Sequence, residues 1–183
     1  MAKFLLLSSH DDQELVSKLQ NEATREVAFK QLVQLYSKPL YHHIRNLLID
    51  HDDTNDVLQN TFIKVFRHIN NFKGDCKLFS WMYRIATNES ITFINQKTRK
   101  NRITLASHQN KLLNALEADT YFDPEPLTVA LHKAIATLPA KQQLVFKMRY
   151  FEEIKYEEMA TILDTSVGAL KASYHHAVKK IEI

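Results

Sequence analysis

Lys155–Leu163 (KYEEMATIL), Asp164-Thr165-Ser166 and Val167–Ile183 (VGALKASYHHAVKKIEI) read as a short helix, a tight turn and a second helix. At about 3.6 residues per turn, Val167, Leu170, Tyr174, Ala177, Val178 and Ile181 fall on one side of the second helix. Gly168, Ala172, His175, His176 and Lys179 fall on the other, with Lys171 and Lys180 at its edges. One apolar face and one small, basic, hydrogen-bonding face suit a protein core on one side and a DNA major groove on the other. That is the helix-turn-helix layout, whose second helix reads base edges from its N-terminal residues. An ordinary amphipathic helical hairpin shows the same periodicity, so the rest of the chain has to decide.

The 183 residues are 45% hydrophobic and 25% charged, enough for one large or two small globular domains. Two glycines and four prolines leave little material for hairpins or Gly-rich phosphate loops, so an all-α chain is expected. A net charge of +3 permits nucleic-acid binding without demanding it. The one cysteine, Cys76, excludes a disulfide framework within the chain and fits a reducing cytosol. The apolar run Met1–Leu7 is stopped by Ser8-Ser9-His10-Asp11-Asp12, too soon for a signal sequence or a membrane span. A soluble, cytoplasmic protein without membrane insertion is the expectation.

Residues 1–96 form a first helical block. Asp11, Asp12 and Glu14 open its first helix with negative charge, where the helix dipole favours it. Phe29, Leu32, Val33, Tyr36 and Leu40 make a core stripe that Pro39 is expected to kink or restart. Asp50–Asp56 reads as an acidic connection into a helix built on Leu58, Phe62, Val65, Phe66 and Ile69. Asn70–Ser80 reads as a loop containing Gly74, and Trp81–Asn95 as the block's last helix. Residues 97–127 are expected to be a flexible linker, with the basic run Lys97, Arg99, Lys100, Arg102, a short helix near Leu112–Leu116, and Asp123-Pro124-Glu125-Pro126. Residues 128–183 are a second helical block ending in the helix-turn-helix candidate.

Tests for catalytic and metal chemistry fail. A calcium loop starting at Asp50 needs glycine at its sixth position and glutamate at its twelfth, where Asn55 and Thr61 stand. His42, His43, His51 and Asp52 suggest a metal phosphohydrolase, but no acidic partner lies near His68 or His108. Cys76 with His68 supplies too few ligands for a structural zinc. No nucleophile elbow, Walker loop or dinucleotide fingerprint is present. The expectation is a non-enzyme without metal or other cofactor. In Asn70–Arg102, by contrast, Phe72, Phe79, Trp81, Tyr83 and Phe93 interleave with Lys73, Lys77, Arg84 and the basic run. Rings that stack on unpaired bases and cations that track the backbone suit single-stranded nucleic acid. Core packing explains the same rings, Phe79 and Trp81 more readily than Phe72.

Three blocks together carry a resemblance: Asp56–Ile69 (DVLQNTFIKVFRHI), Phe72–Asn88 with its FKGD and FSWMYRIA, and the terminal SVGALK. In this order and at this separation, from about Glu22 onward, they resemble the extracytoplasmic-function group of bacterial RNA polymerase sigma factors. The resemblance implies two helical domains joined by a flexible linker. The first grips the polymerase and recognises and opens the promoter −10 element; the second places a helix-turn-helix in the −35 element. It implies as partners the core polymerase, through its clamp coiled coil and flap, promoter DNA, and an anti-sigma factor.

Position by position, the resemblance puts Asp56, Gln59 and Asn60 on the helix face that meets the clamp coiled coil, and an exposed Ile63 beside them is understandable as interface. Phe72, Lys73, Gly74 and Asp75 match the loop that holds a base flipped out of the −10 strand, and Asn88 matches a residue lining that pocket. Arg84, Lys97, Arg99, Lys100 and Arg102 then look like phosphate contacts. The −35 contacts fall on Gly168, Lys171, Ala172, Ser173, His175, His176 and Lys179. Here the chain departs from the family's pattern, because Ala172, Ser173, His176 and Val178 stand where a Ser-Arg pair and, a few residues later, further arginines are usual. Without arginine, the strongest guanine reader, the −35 site would be read by small contacts and by DNA shape. A free-standing helix-turn-helix regulator is the alternative.

Overall fold

The computed structural model describes residues 9–101 and 126–181, and every regular element in them is a helix. The short helix near Leu112–Leu116, Pro124 and Arg102 lie in the stretch 102–125, outside the described residues, whereas Pro126 and Leu127 belong to the helix Pro126–Ala136 rather than to a linker. In the first block, α1 (Ser9–Gln20) buries Leu15 and Leu19, one turn apart. α2 (Arg25–Leu48) buries Ala28, Leu32, Tyr36, Pro39, Leu40, His43, Ile44 and Leu48, a stripe at helical spacing over its whole length. Pro39 does not end it. Its ring is buried and its carbonyl accepts a hydrogen bond from the Tyr83 hydroxyl at 3.1 Å.

α3 (His51–His68) starts five residues earlier than the acidic pattern suggests. Asp50 is the cap: its carboxylate accepts from the Asp53 N–H at 2.9 Å, and its carbonyl accepts from the Thr54 hydroxyl. The acidic residues 52 and 53 therefore sit on the first helical turn, where the dipole stabilises them. The two-residue connection from α2 forces Ile49 to φ 69°, an uncommon conformation for a β-branched residue. A short 3-10 turn (Ile69–Asn71) and a loop lead into α4 (Leu78–Asn101). α4 runs past residue 96, so Lys97, Arg99 and Lys100 belong to its last turns rather than to a linker.

The second block comprises α5 (Pro126–Ala136), α6 (Ala140–Tyr150), α7 (Tyr156–Leu163) and α8 (Val167–Ile181). The Gln143 carboxamide donates to Ala136 and Leu138 carbonyls and so closes the end of α5. Ile135, Leu138, Phe146 and Ala177 form a small core of its own. Its other buried residues, Val145, Met148, Ile154, Met159, Ile162 and Leu170, join one continuous cluster with the first block. α7 packs along α4 and α6 touches α2. Much of the second block's apolar surface is thus covered by the first. In this arrangement the two blocks are packed together.

Candidate nucleic-acid and polymerase interfaces

The helix-turn-helix forms as its periodicity predicts. Asp164 ends α7 in the left-handed conformation (φ 49°, ψ 52°), a region that aspartate tolerates. The N–H groups of Asp164 and Thr165 both return to the Ala160 carbonyl. Ser166 caps α8, its hydroxyl accepting from the Ala169 N–H at 3.3 Å. In α8, Leu170 and Ala177 are buried, and Val167, Tyr174, Val178 and Ile181 are half-buried. Gly168, Lys171, Ala172, His175, His176 and Lys179 are exposed together, while Ser173 is half-buried. Tyr156, at the start of α7, lies under two cations, Arg149 at 5.4 Å and Lys171 at 5.8 Å from its ring centre.

On α3, Asp56, Gln59, Asn60 and Ile63 are all exposed and share one face, opposite the buried Val57, Thr61, Phe62 and Val65. Ile63 is 40% exposed and Phe66, one turn on, 37%. The Phe66 ring lies edge-on to Phe29 at 4.9 Å, with Arg25 over it.

The loop carries Phe72 half-buried, its ring centre 5.2 Å from that of Trp81, and Lys73, Gly74 and Asp75 exposed. Gly74 has φ +79°, where any side chain would strain the backbone, although there is open space for one. Phe79 and Tyr83 are core. The structure does not bring Phe72 and Asn88 into one cavity. Phe72 lines a cleft against α1 with Lys73, Gly74 and Gln20. Asn88 lines a separate cavity of about 620 Å³ between the blocks, with Arg84, Ile91, His132 and Leu144.

Several residues matched to DNA contacts are already engaged. The Arg84 guanidinium donates twice to the Thr161 carbonyl of α7, through Nε at 3.0 Å and through Nη2. Lys97 pairs with Asp53 on α3 and lies over the Phe93 ring. Lys77, a cation of the same aromatic and basic stretch though not matched to a contact, pairs with Glu158 on α7 at 2.8 Å. Arg99 is exposed.

Glu152 and Lys147, which the sequence does not single out, and His43, considered there only as a metal ligand, hold the blocks together. Glu152, in the α6–α7 connection, has a side chain 7% exposed whose carboxylate meets His43 Nδ1 at 3.0 and 3.1 Å. His43 is fully buried, and its Nε2 lies 2.8 Å from the Thr87 hydroxyl. The Thr87 hydroxyl also donates to the Tyr83 carbonyl at 2.7 Å. Both ring nitrogens of His43 therefore have a partner, the Glu152 carboxylate at Nδ1 and the Thr87 hydroxyl at Nε2. Lys147 is buried beside them, its Nζ donating to the Asn46 carbonyl at 2.7 Å. Burial pulls its pKa down to about 8, against an upward pull from Glu152. The one available signal was a polar residue at a core position of an apolar stripe, as with His43 beside Ile44 and Lys147 beside Met148. Among the described residues no His, Cys, Asp and Glu cluster has the makings of a metal site, and no helix is long and apolar enough to cross a membrane.

Residues 32–100 match the family described as Sigma-70 region 2, and residues 128–181 match Sigma-70, region 4. The RNA polymerase sigma-H factor of Pseudomonas aeruginosa is 29% identical, over 97% of this chain and 95% of that protein. The extracytoplasmic-function sigma-E factor of Escherichia coli is 26% identical, over 93% and 92%. Among solved structures, CnrH in complex with the cytosolic domain of CnrY has TM-score 0.66 at 20% identity, covering 93% of this chain and 94% of that one. The sigma factor RpoE of Bartonella quintana, in complex with the anti-sigma factor NepR, has TM-score 0.63 at 20% identity, covering 84% and 94%. Both likenesses concern the fold. Two family regions in their order along the chain, on an all-helical scaffold that exposes a helix-turn-helix, decide against a free-standing regulator: this chain belongs to the sigma-70 family and is an extracytoplasmic-function-type sigma factor, which directs RNA polymerase to promoters.

Proposed function

We propose a division of this activity among three surfaces of the chain. The exposed face of α3, with Asp56, Gln59, Asn60 and Ile63, binds the clamp coiled coil of core polymerase. It carries no net positive charge to meet phosphates and presents Ile63 and Phe66 to a partner. The loop from Phe72 to Asp75 holds a base of the opened −10 strand, with Phe72 as the stacking surface, while Asn88 and the cations of α4 follow the strand. The outer face of α8 enters the −35 major groove through Lys171, Ala172 and Ser173, with Gly168 giving close approach and His175, His176 and Lys179 toward the backbone. The chain contributes binding and leaves the chemistry to the polymerase, in the cytoplasm where that enzyme works.

The observation that carries this reading is the exposure pattern of α8. Every residue matched to the −35 element except Ser173 is exposed, and the opposite face is core. The packed arrangement of the blocks is the state before DNA is engaged, because Arg84 is bonded to Thr161 and Asn88 faces the cavity between blocks. The anti-sigma factor NepR bound to the Bartonella quintana RpoE supports an anti-sigma factor as the protein that keeps this chain from polymerase. Run-off transcription with core polymerase tests the whole: the wild-type chain should yield promoter-specific transcripts, and Lys171→Ala with Lys179→Ala should abolish them on promoters that depend on the −35 element. Equal transcription by that variant would show that α8 does not read the −35 element.

A further inference from the structure

The loop that carries Phe72 has little to hold it in place. Lys73, Gly74 and Asp75 are exposed, and a side chain placed at Gly74 would meet nothing within 4 Å. Its exit is fixed by Leu78, fully buried at the start of α4. Its entrance is fixed from α1. The carboxamide nitrogen of Gln20 lies 3.0 Å from the Ile69 carbonyl oxygen and 3.0 Å from the Phe72 carbonyl oxygen. Both oxygens only accept, so the amide's NH2 group faces them and spends its two protons there. Those carbonyls bracket the 3-10 turn, which Phe72 N–H closes onto Ile69 at 3.1 Å. Arg25 adds a bond from Nη2 to the Asn70 side chain at 2.8 Å, while its Nε donates to the Leu19 carbonyl at 3.0 Å. Gln20 lies outside residues 32–100, the stretch matched to region 2.

We infer that Gln20 is a positioning residue for strand capture: its carboxamide, bridging the Ile69 and Phe72 carbonyls, sets the Phe72 ring where an unstacked −10 base can lie on it. The inference rests on the reading that Phe72 holds such a base. A stack depends on the ring's plane and height, and a loop free at its entrance would spread the ring over many orientations, each costing entropy to restore on binding. Gln20 touches no base in this account. It acts through Phe72.

The chain has a single tryptophan, Trp81, and its ring lies against Phe72, so its fluorescence reports the loop. Gln20→Met keeps the side chain's length and neutrality and removes both donors. It should raise quenching of Trp81 by acrylamide and weaken binding of a single-stranded −10 oligonucleotide about tenfold, the worth of two exposed hydrogen bonds. Binding to duplex −35 DNA and the circular dichroism should be unchanged. Gln20→Met added to Phe72→Ala should weaken the strand no further than Phe72→Ala alone, since the two act as one unit. Losses that add in the double variant, or an unchanged affinity and unchanged quenching in Gln20→Met, would overturn the inference while leaving Phe72's role intact. If Phe72→Ala itself binds the strand normally, the reading of the loop fails and the inference with it.

Discussion

Replacing Glu152 by alanine should unlock the two blocks. The carboxylate accepts from His43 at 3.0 and 3.1 Å and weakly from Asn46 at 3.4 Å, with the ammonium of Lys147 buried beside them. The His43 ring and the Lys147 ammonium thus share one carboxylate in a space closed to water, His43 being fully buried and Lys147 7% exposed. Alanine leaves the Lys147 ammonium without its counter-charge and the His43 ring without its acceptor, and breaking one partner of a buried pair costs about 3–5 kcal/mol. Small domains commonly have only about 5–15 kcal/mol in total, so a loss of this size is large. Because Glu152 belongs to the second block and His43 to the first, the loss falls on the contact between them. Urea unfolding at pH 7, followed by far-ultraviolet circular dichroism and by Trp81 fluorescence, should change from one shared midpoint to two, with the second block unfolding first. A loss under about 1 kcal/mol with a single midpoint would refute the reasoning, since it would mean that water already reaches the site and screens the charges.

Other outcomes follow from the same contacts. Lys147, lowered to about 8 from 10.5 by burial, makes the unfolded chain the tighter proton binder between those values. Its share of stability should therefore rise as pH goes from about 8 to 10.5, by about 3 kcal/mol at most, and Lys147→Met should flatten that rise in urea midpoints. His132, pushed down to about 4 by burial and by Lys147, works in the acid range. The unfolded chain takes up its proton first below about pH 6.5, so stability should fall towards pH 4, and His132→Phe should reduce the slope. Asp56→Arg with Gln59→Ala should weaken binding to core polymerase at least tenfold while leaving thermal unfolding unchanged; unchanged core affinity would remove α3 from the polymerase interface. A protease cut placed between residues 101 and 127 should leave the two halves co-eluting in gel filtration, because they share one buried cluster. Glu152→Ala should let them elute apart.

What could be read from the sequence is what depends on neighbours along the chain. The two faces of α8 follow from the 3.6-residue period, so Leu170 and Ala177 emerge buried and His175, His176 and Lys179 exposed without knowledge of what covers them. The same holds for Asp56, Gln59, Asn60 and Ile63 on α3, and for Gly74, whose backbone angle a loop of that composition favours. Boundaries were less legible, because a cap is one side chain's choice of partner. Asp50, not Asp56, starts α3, and no composition change marks where α4 ends at Asn101. Pro39 predicts a kink or a restart, yet α2 continues through it, with the buried ring held among tertiary partners. What only the tertiary structure decided is the set of contacts between residues far apart in sequence. Glu152 meets His43 across 109 positions, Lys147 meets Asn46 across 101, Arg84 meets Thr161 across 77, and Gln20 meets Phe72 across 52. Local periodicity fixes which side of a helix is apolar. It is silent on which distant helix will cover that side, since burial is non-directional and any apolar face would serve; the hydrogen bonds of the buried polar groups select the one arrangement in which each of these groups finds a partner.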